Sequence, residues 1–149
     1  MSASTTTFLF GPASSALRYA ESVRRALPPN TRTEAEAMRR VFETAFGSPP
    51  FDTTSPMEPA LRRPHFTACF AGIFGGGATN FPGEFALARH GVLLIEDAEH
   101  FKLEIRAALA EELQSPASDG SPIVLIHSAR AADLPELLAV LPFPRVQLG

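Results

Sequence analysis

The chain has 149 residues, 45% of them apolar and 19% charged, a balance that excludes wholesale disorder and fits one globular domain with its own core. Its net charge of −3 leaves no electrostatic footprint for nucleic acid, and Cys69, the single cysteine, excludes an intrachain disulfide and a cysteine-built zinc site. No apolar stretch approaches membrane-spanning length and no basic leader precedes Phe8-Leu9-Phe10, so a reducing, cytoplasmic setting without membrane contact is expected.

Thr5 to Phe10 is β-branched and aromatic and runs into Gly11-Pro12, which reads as a first strand ending at a turn. From Ser14 to Leu27 the apolar residues Ala16, Leu17, Ala20, Val23 and Leu27 recur at helical spacing, with Ser14-Ser15 as the expected cap. Strand, glycine turn and helix form the setting of a phosphate-binding loop. The pattern G-x-x-x-x-G-K-[ST] falls on Gly11, Pro12, Ala13, Ser14, Ser15, Ala16, Leu17 and Arg18, and only its first glycine is kept. Ala16 stands for the second glycine, Leu17 for the lysine and Arg18 for the hydroxyl residue.

Thr33 and Glu36 form a capping-box pattern for a second helix, Glu34 to Phe46, stopped by Gly47. Residues 48–62 read as a proline-rich loop, and residues 65–74 as extended or loop structure. A glycine-rich insertion, 71–83, contains Gly75-Gly76-Gly77; its Gly75–Phe81 part is expected to extend away from the sheet, since consecutive glycines disfavour helix and strand. A short helix over Glu84 to His90 precedes the apolar strand Val92 to Ile95, which ends in the carboxylates Glu96-Asp97. A helix from Glu99 to Leu113, a strand from Ile123 to Ile126 ending at His127-Ser128, a helix over Ala131 to Val140 and a last strand at Val146 to Leu148 complete the pattern. Buried strands alternating with helices predict an α/β domain built on a mainly parallel sheet. The histidines show no metal-ligand spacing, and Cys69 reads as a small buried apolar residue.

The run from Arg63 to Phe101 resembles, without a gap, the segment around the Walker B strand in AAA+ ATPases of the magnesium-chelatase subunit I and ComM-type competence-helicase group. Pro64-His65, Gly75-Gly76-Gly77, Pro82-Gly83-Glu84, Leu87-Ala88 and Gly91-Val92-Leu93 carry the likeness. FLFGPASSALRYAESVRRALPP is similar to the family's strand, phosphate loop and first helix, and PELLAVLPFPRVQL to the segment before its last core strand. The resemblance implies a three-layer P-loop NTPase-like core spanning 1–149, without the helical lid. It also implies that Gly11 to Arg18 is the phosphate-loop region and that Glu96 and Asp97 are the Walker B acids, with Glu96 the Mg²⁺ ligand if any. His127 and Ser128 fall at the sensor position, and the three strand ends should meet at one edge, with Leu17 projecting where the lysine would reach phosphate.

The departures bear on function. The lysine and hydroxyl positions are Leu17 and Arg18, the acid pair is inverted, and the family's finger arginine falls near Val140. Two lost charge-assisted hydrogen bonds, each worth about 1.5–3 kcal/mol, weaken phosphate binding by roughly 10²- to 10⁴-fold. Loss of the finger removes on the order of 10³-fold or more in rate. The expectation is a degenerate ATPase with lost or weak ATP and Mg²⁺ binding, acting as a non-catalytic partner of an active AAA+ protein or of itself. The alternative is a weak Mg-ATP-binding subunit in which Arg18 replaces the lysine and Glu96 binds the metal.

Overall fold

Unbroken apolar runs in three strands, at 8–10, 92–95 and 123–126, require cover on both faces, and the fold provides it. The computed structural model describes residues 6–47, 57–78 and 80–149. Strands β1 (Thr6–Phe10), β2 (Leu61–Arg62), β3 (Val92–Ile95), β4 (Ile123–Ser128) and β5 (Arg145–Gln147) form one sheet in the order β2-β3-β4-β1-β5. Every pairing is parallel. Successive strand residues point to opposite faces. Leu9, Val92, Leu94 and Leu125 therefore share one face with Ala16 and Ala20 of α1 (Ala13–Ala26), whose small side chains let the helix approach closely. Phe8, Phe10, Leu93, Ile95, Val124 and Ile126 share the other. There they pack with Ile73 of α3 (Phe70–Phe74), Ile105 and Leu109 of α5 (Leu103–Gln114) and Leu138 of α6 (Glu136–Ala139).

The chain crosses from β1 to the far edge, then steps back through β3 and β4 and passes β1 to reach β5. Right-handed crossovers in opposite directions put helices on opposite faces and make the β1–β4 neighbourhood the switch point, where the carboxyl ends of β1, β3 and β4 form one edge. The edge strand β2 is held by close backbone approach: Val92 N–H donates to the Ala60 carbonyl at 2.8 Å. A Cβ on Gly91 would collide with that same carbonyl. Beside β2, the Arg62 guanidinium forks onto Glu84, the first residue of α4 (Glu84–Leu87), at 2.7 and 2.8 Å. It also lies 5.9 and 5.8 Å from the ring centroids of Phe42 and Phe46 on α2 (Arg32–Phe46).

Several sequence expectations are corrected. The capping box of α2 is Thr31–Glu34, not Thr33–Glu36; both are Thr-x-x-Glu, and the upstream pair wins because it gains further helical residues. Within the expected loop 48–62, Leu61–Arg62 is a strand too short to show a period, while 48–56 lies outside the described residues. Residues 65–74 include α3, a single turn whose cap is the exposed Cys69, with its sulfur accepting from the Gly72 N–H at 3.4 Å. The helix expected from Glu99 is a 3-10 turn, Ala98–His100, followed by a fresh start at Leu103. The helix expected over Ala131 to Val140 is divided by Pro135, which has no N–H to continue it. The triple-glycine segment lies outside the sheet and closes on itself: Gly76 and Phe81 exchange backbone hydrogen bonds of 2.8 and 3.1 Å, and the Phe81 ring meets Phe46 edge-on at 6.4 Å.

The reciprocal cap of α2 gives the first prediction. The Thr31 backbone N–H donating to Glu34 is the main cause that holds this carboxyl below its usual 4.5. A depressed carboxylate stabilises the fold above its unfolded pKa and loses that contribution as pH falls through the folded value, so the loss lies below about pH 4.5. Thr31→Ala is expected to cost about 1 kcal/mol in urea unfolding near neutral pH. Glu34→Gln should flatten the acid limb of the stability profile.

Candidate functional site

Parallel register brings the sequence-predicted residues to one edge. Leu9 is level with His127, Phe10 with Ser128, and Ile95 with Ile126, so β1 and β4 end together, two residues beyond the end of β3. His127 is 1% exposed and joins all three ends. The Asp97 backbone N–H donates to its Nδ1 at 3.2 Å, and its Nε2 lies 2.8 Å from the Gly11 carbonyl oxygen. An amide N–H can only donate and a carbonyl can only accept, so the ring proton belongs on Nε2. The Asp97 Oδ1 atom, 3.8 Å from Nδ1, therefore faces a ring nitrogen without a proton and forms no ion pair with it. Asp97 takes the left-handed conformation at φ 50° and ψ 57°, which turns its backbone N–H toward the histidine.

Other groups at this edge bond within the chain. Arg63, directly after β2, forks onto Glu96 at 2.8 and 3.3 Å. The bond to Glu96 is the main cause that raises the Arg63 guanidinium above its ordinary range. The Ser128 hydroxyl donates to Glu99 at 3.0 Å. On the β1 side, α1 begins at Ala13 with Pro12 as its cap residue, and the Ser15 and Ala16 N–H groups donate to the Pro12 carbonyl at 3.0 and 3.1 Å. Ser14-Ser15 is thus not the cap. The Ser15 hydroxyl donates instead to the Gly149 carbonyl at 2.8 Å and accepts from Arg18 Nη2 at 3.2 Å.

Ala16 is fully buried, and Leu17 packs against the α1 face of the sheet rather than projecting from the edge. Leu148 N–H donates to the Phe10 carbonyl at 2.7 Å, and its Cβ would lie 3.0 Å from a Cβ added to Gly11, whose φ of +138° also favours glycine. Val140, where the resemblance put the finger arginine, is 71% exposed. The next arginine, Arg145, turns back to donate to the Ala139 carbonyl at 2.7 Å and lies against the Phe8 and Phe10 rings. Among the described residues no group of three or more histidine, cysteine, aspartate or glutamate side chains could hold a metal ion. Sequence reasoning missed Arg63, Glu99 and the 147–149 segment. Their partners lie 33, 29 and over 130 residues away, beyond any local pattern.

The sequence family described as "Magnesium chelatase, subunit ChlI" matches residues 4–135. The chain belongs to the magnesium chelatase subunit ChlI family. It is 28% identical over 108 residues, 72% of the chain, to "Competence protein ComM" of Haemophilus influenzae, and that match spans 21% of ComM. It is 39% identical over 55 residues to "Uncharacterized protein YifB" of Escherichia coli, 37% of this chain and 11% of that protein. The matched stretch is thus a small part of each relative. Family membership agrees with the all-parallel α/β sheet, a P-loop NTPase-like AAA+ core in which Gly11, Asp97 and His127 converge. Among the described residues no helix is long and apolar enough to cross a membrane.

The second prediction follows from His127. His127→Ala leaves the Gly11 carbonyl and the Asp97 N–H without this partner inside the fold, and should cost about 2–4 kcal/mol in denaturant unfolding. In the wild type, long-range ¹H–¹⁵N correlation spectra are expected to report the Nε2–H tautomer of this ring.

Proposed function

We propose that this chain is a degenerate AAA+ core of the magnesium chelatase subunit ChlI family, one that keeps the sheet and surfaces of such a domain without an ATPase cycle and acts as a non-catalytic partner. The observation that carries the reading is the start of α1 at Ala13. A phosphate-cradling loop works by leaving successive backbone N–H groups unpaired and aimed at the phosphates. Here the Ser15 and Ala16 N–H groups are spent on the Pro12 carbonyl.

Other contacts point the same way. Leu17 offers no cation and, partly buried, packs against the α1 face of the sheet. Both oxygens of Glu96 are taken by Arg63, so the acid suited to Mg²⁺ is already neutralised. Leu148 lies against Gly11, at the mouth of the strand–helix turn. These residues do not fit a bound Mg-nucleotide, and no step through one is derived. What they fit is a rigid body that presents an AAA+ surface to another subunit.

One observation favours the weaker-binding alternative: Arg18 is exposed and its guanidinium already donates to a hydroxyl at this edge. Two measurements decide. Phosphate release from Mg-ATP at high protein concentration is expected to match a heat-inactivated control, and turnover above it would overturn the reading. Titration with a fluorescent ATP analogue should show no saturation below millimolar; saturation that disappears in Arg18→Ala would establish the alternative.

A further inference from the structure

We infer that the Arg63 guanidinium is the resident cation of the β3 end, an internal counter-ion that takes both Glu96 oxygens and leaves this edge indifferent to divalent metal. The inference rests on the reading of the chain as a degenerate core, but it concerns the metal place alone. Three observations carry it. The contact is a two-bond fork, at 2.8 and 3.3 Å, so each carboxylate oxygen accepts from one guanidinium nitrogen. Such planar pairing is specific to arginine, which cannot vacate the site by losing its proton near neutral pH. The acid is also the more enclosed partner, with its side chain 20% exposed against 45% for Arg63, so the cation reaches it from the solvent side, along the path an ion would take.

The third observation is the surroundings. Arg62, next in sequence, is turned to Glu84 and does not share the task. A divalent ion approaching Glu96 must either expel a fixed positive charge or sit beside it. Hexahydrated Mg²⁺ gives up its water reluctantly and makes up such a loss only where several oxygens converge. Without Arg63, the Glu96 carboxylate is left open next in sequence to Asp97, which is a place for a weakly held cation.

The test uses the full chain without nucleotide and Mn²⁺ alone as the probe, read by paramagnetic broadening of backbone amide signals, which detects millimolar binding. Wild type is expected to show no broadening at Glu96 and Asp97 beyond that at other surface carboxylates. Arg63→Ala should gain severalfold selective broadening there, and the Arg63→Ala/Glu96→Gln double variant should lose it. Arg63→Gln, which keeps the length and a donor without the charge, provides the same readout should the alanine variant fold poorly. Selective broadening in wild type that Glu96→Gln abolishes would overturn the inference, as would the absence of any gain in both Arg63 variants. Because no nucleotide is present, this outcome is separate from the turnover assay: ATP turnover by a wild type that excludes Mn²⁺ would sink the proposed function and leave Arg63 as the resident cation.

Discussion

The strict two-residue alternation of β1, β3 and β4 is the constraint on which everything else depends. Once Phe8, Phe10, Leu93, Ile95, Val124 and Ile126 must face one layer and Leu9, Val92, Leu94 and Leu125 the other, no one-layer solution exists. Each large side chain so buried contributes about 1.5–3 kcal/mol, and a slip of one residue in any pairing would exchange the two sets. The register that follows brings the ends of β1, β3 and β4 to one edge, with β3 two residues shorter, and lets one imidazole reach from Gly11 after β1 to Asp97 after β3.

That imidazole is bonded on both nitrogens to backbone, to the Asp97 N–H and the Gly11 carbonyl. A side chain whose polar atoms are both committed to the main chain ties the strand ends together, because freeing either nitrogen would leave a partner unpaired. The same inward turn recurs around it. Glu96 is bound by Arg63, Ser128 by Glu99, and Ser15 by Gly149. Several polar groups of this edge are thus held by contacts within the chain.

The ranking of these effects matters for how the domain can evolve. Exposed pairs such as Arg130–Asp133 add little to stability. The half-exposed Arg63–Glu96 fork is likewise better understood by what it excludes than by what it contributes to folding. The core strands do not depend on the chemistry of the edge. Substitutions at the edge can therefore change its chemistry while the sheet keeps its architecture.

The sequence by itself determined the α/β class, the strands Val92–Ile95 and Ile123–Ile126, the first two helices to within one or two residues and the family, because these rest on local periodicity and on an ungapped run of turn-forming Gly and Pro residues. It also determined that lysine is missing at Leu17. It pointed to Thr33 and Glu36 as the capping box of α2, whereas the box is Thr31–Glu34, an overlapping Thr-x-x-Glu pattern with the same local chemistry. Only the tertiary structure decided that Leu61–Arg62 is a strand, because two residues carry no period and the pairing depends on Gly91 passing under Ala60. Only it decided what the polar groups at the edge do. Arg63 meets Glu96, and Ser15 meets Gly149, across separations of 33 and 134 residues, and such contacts are set by sheet order and register, quantities to which no window of local sequence has access.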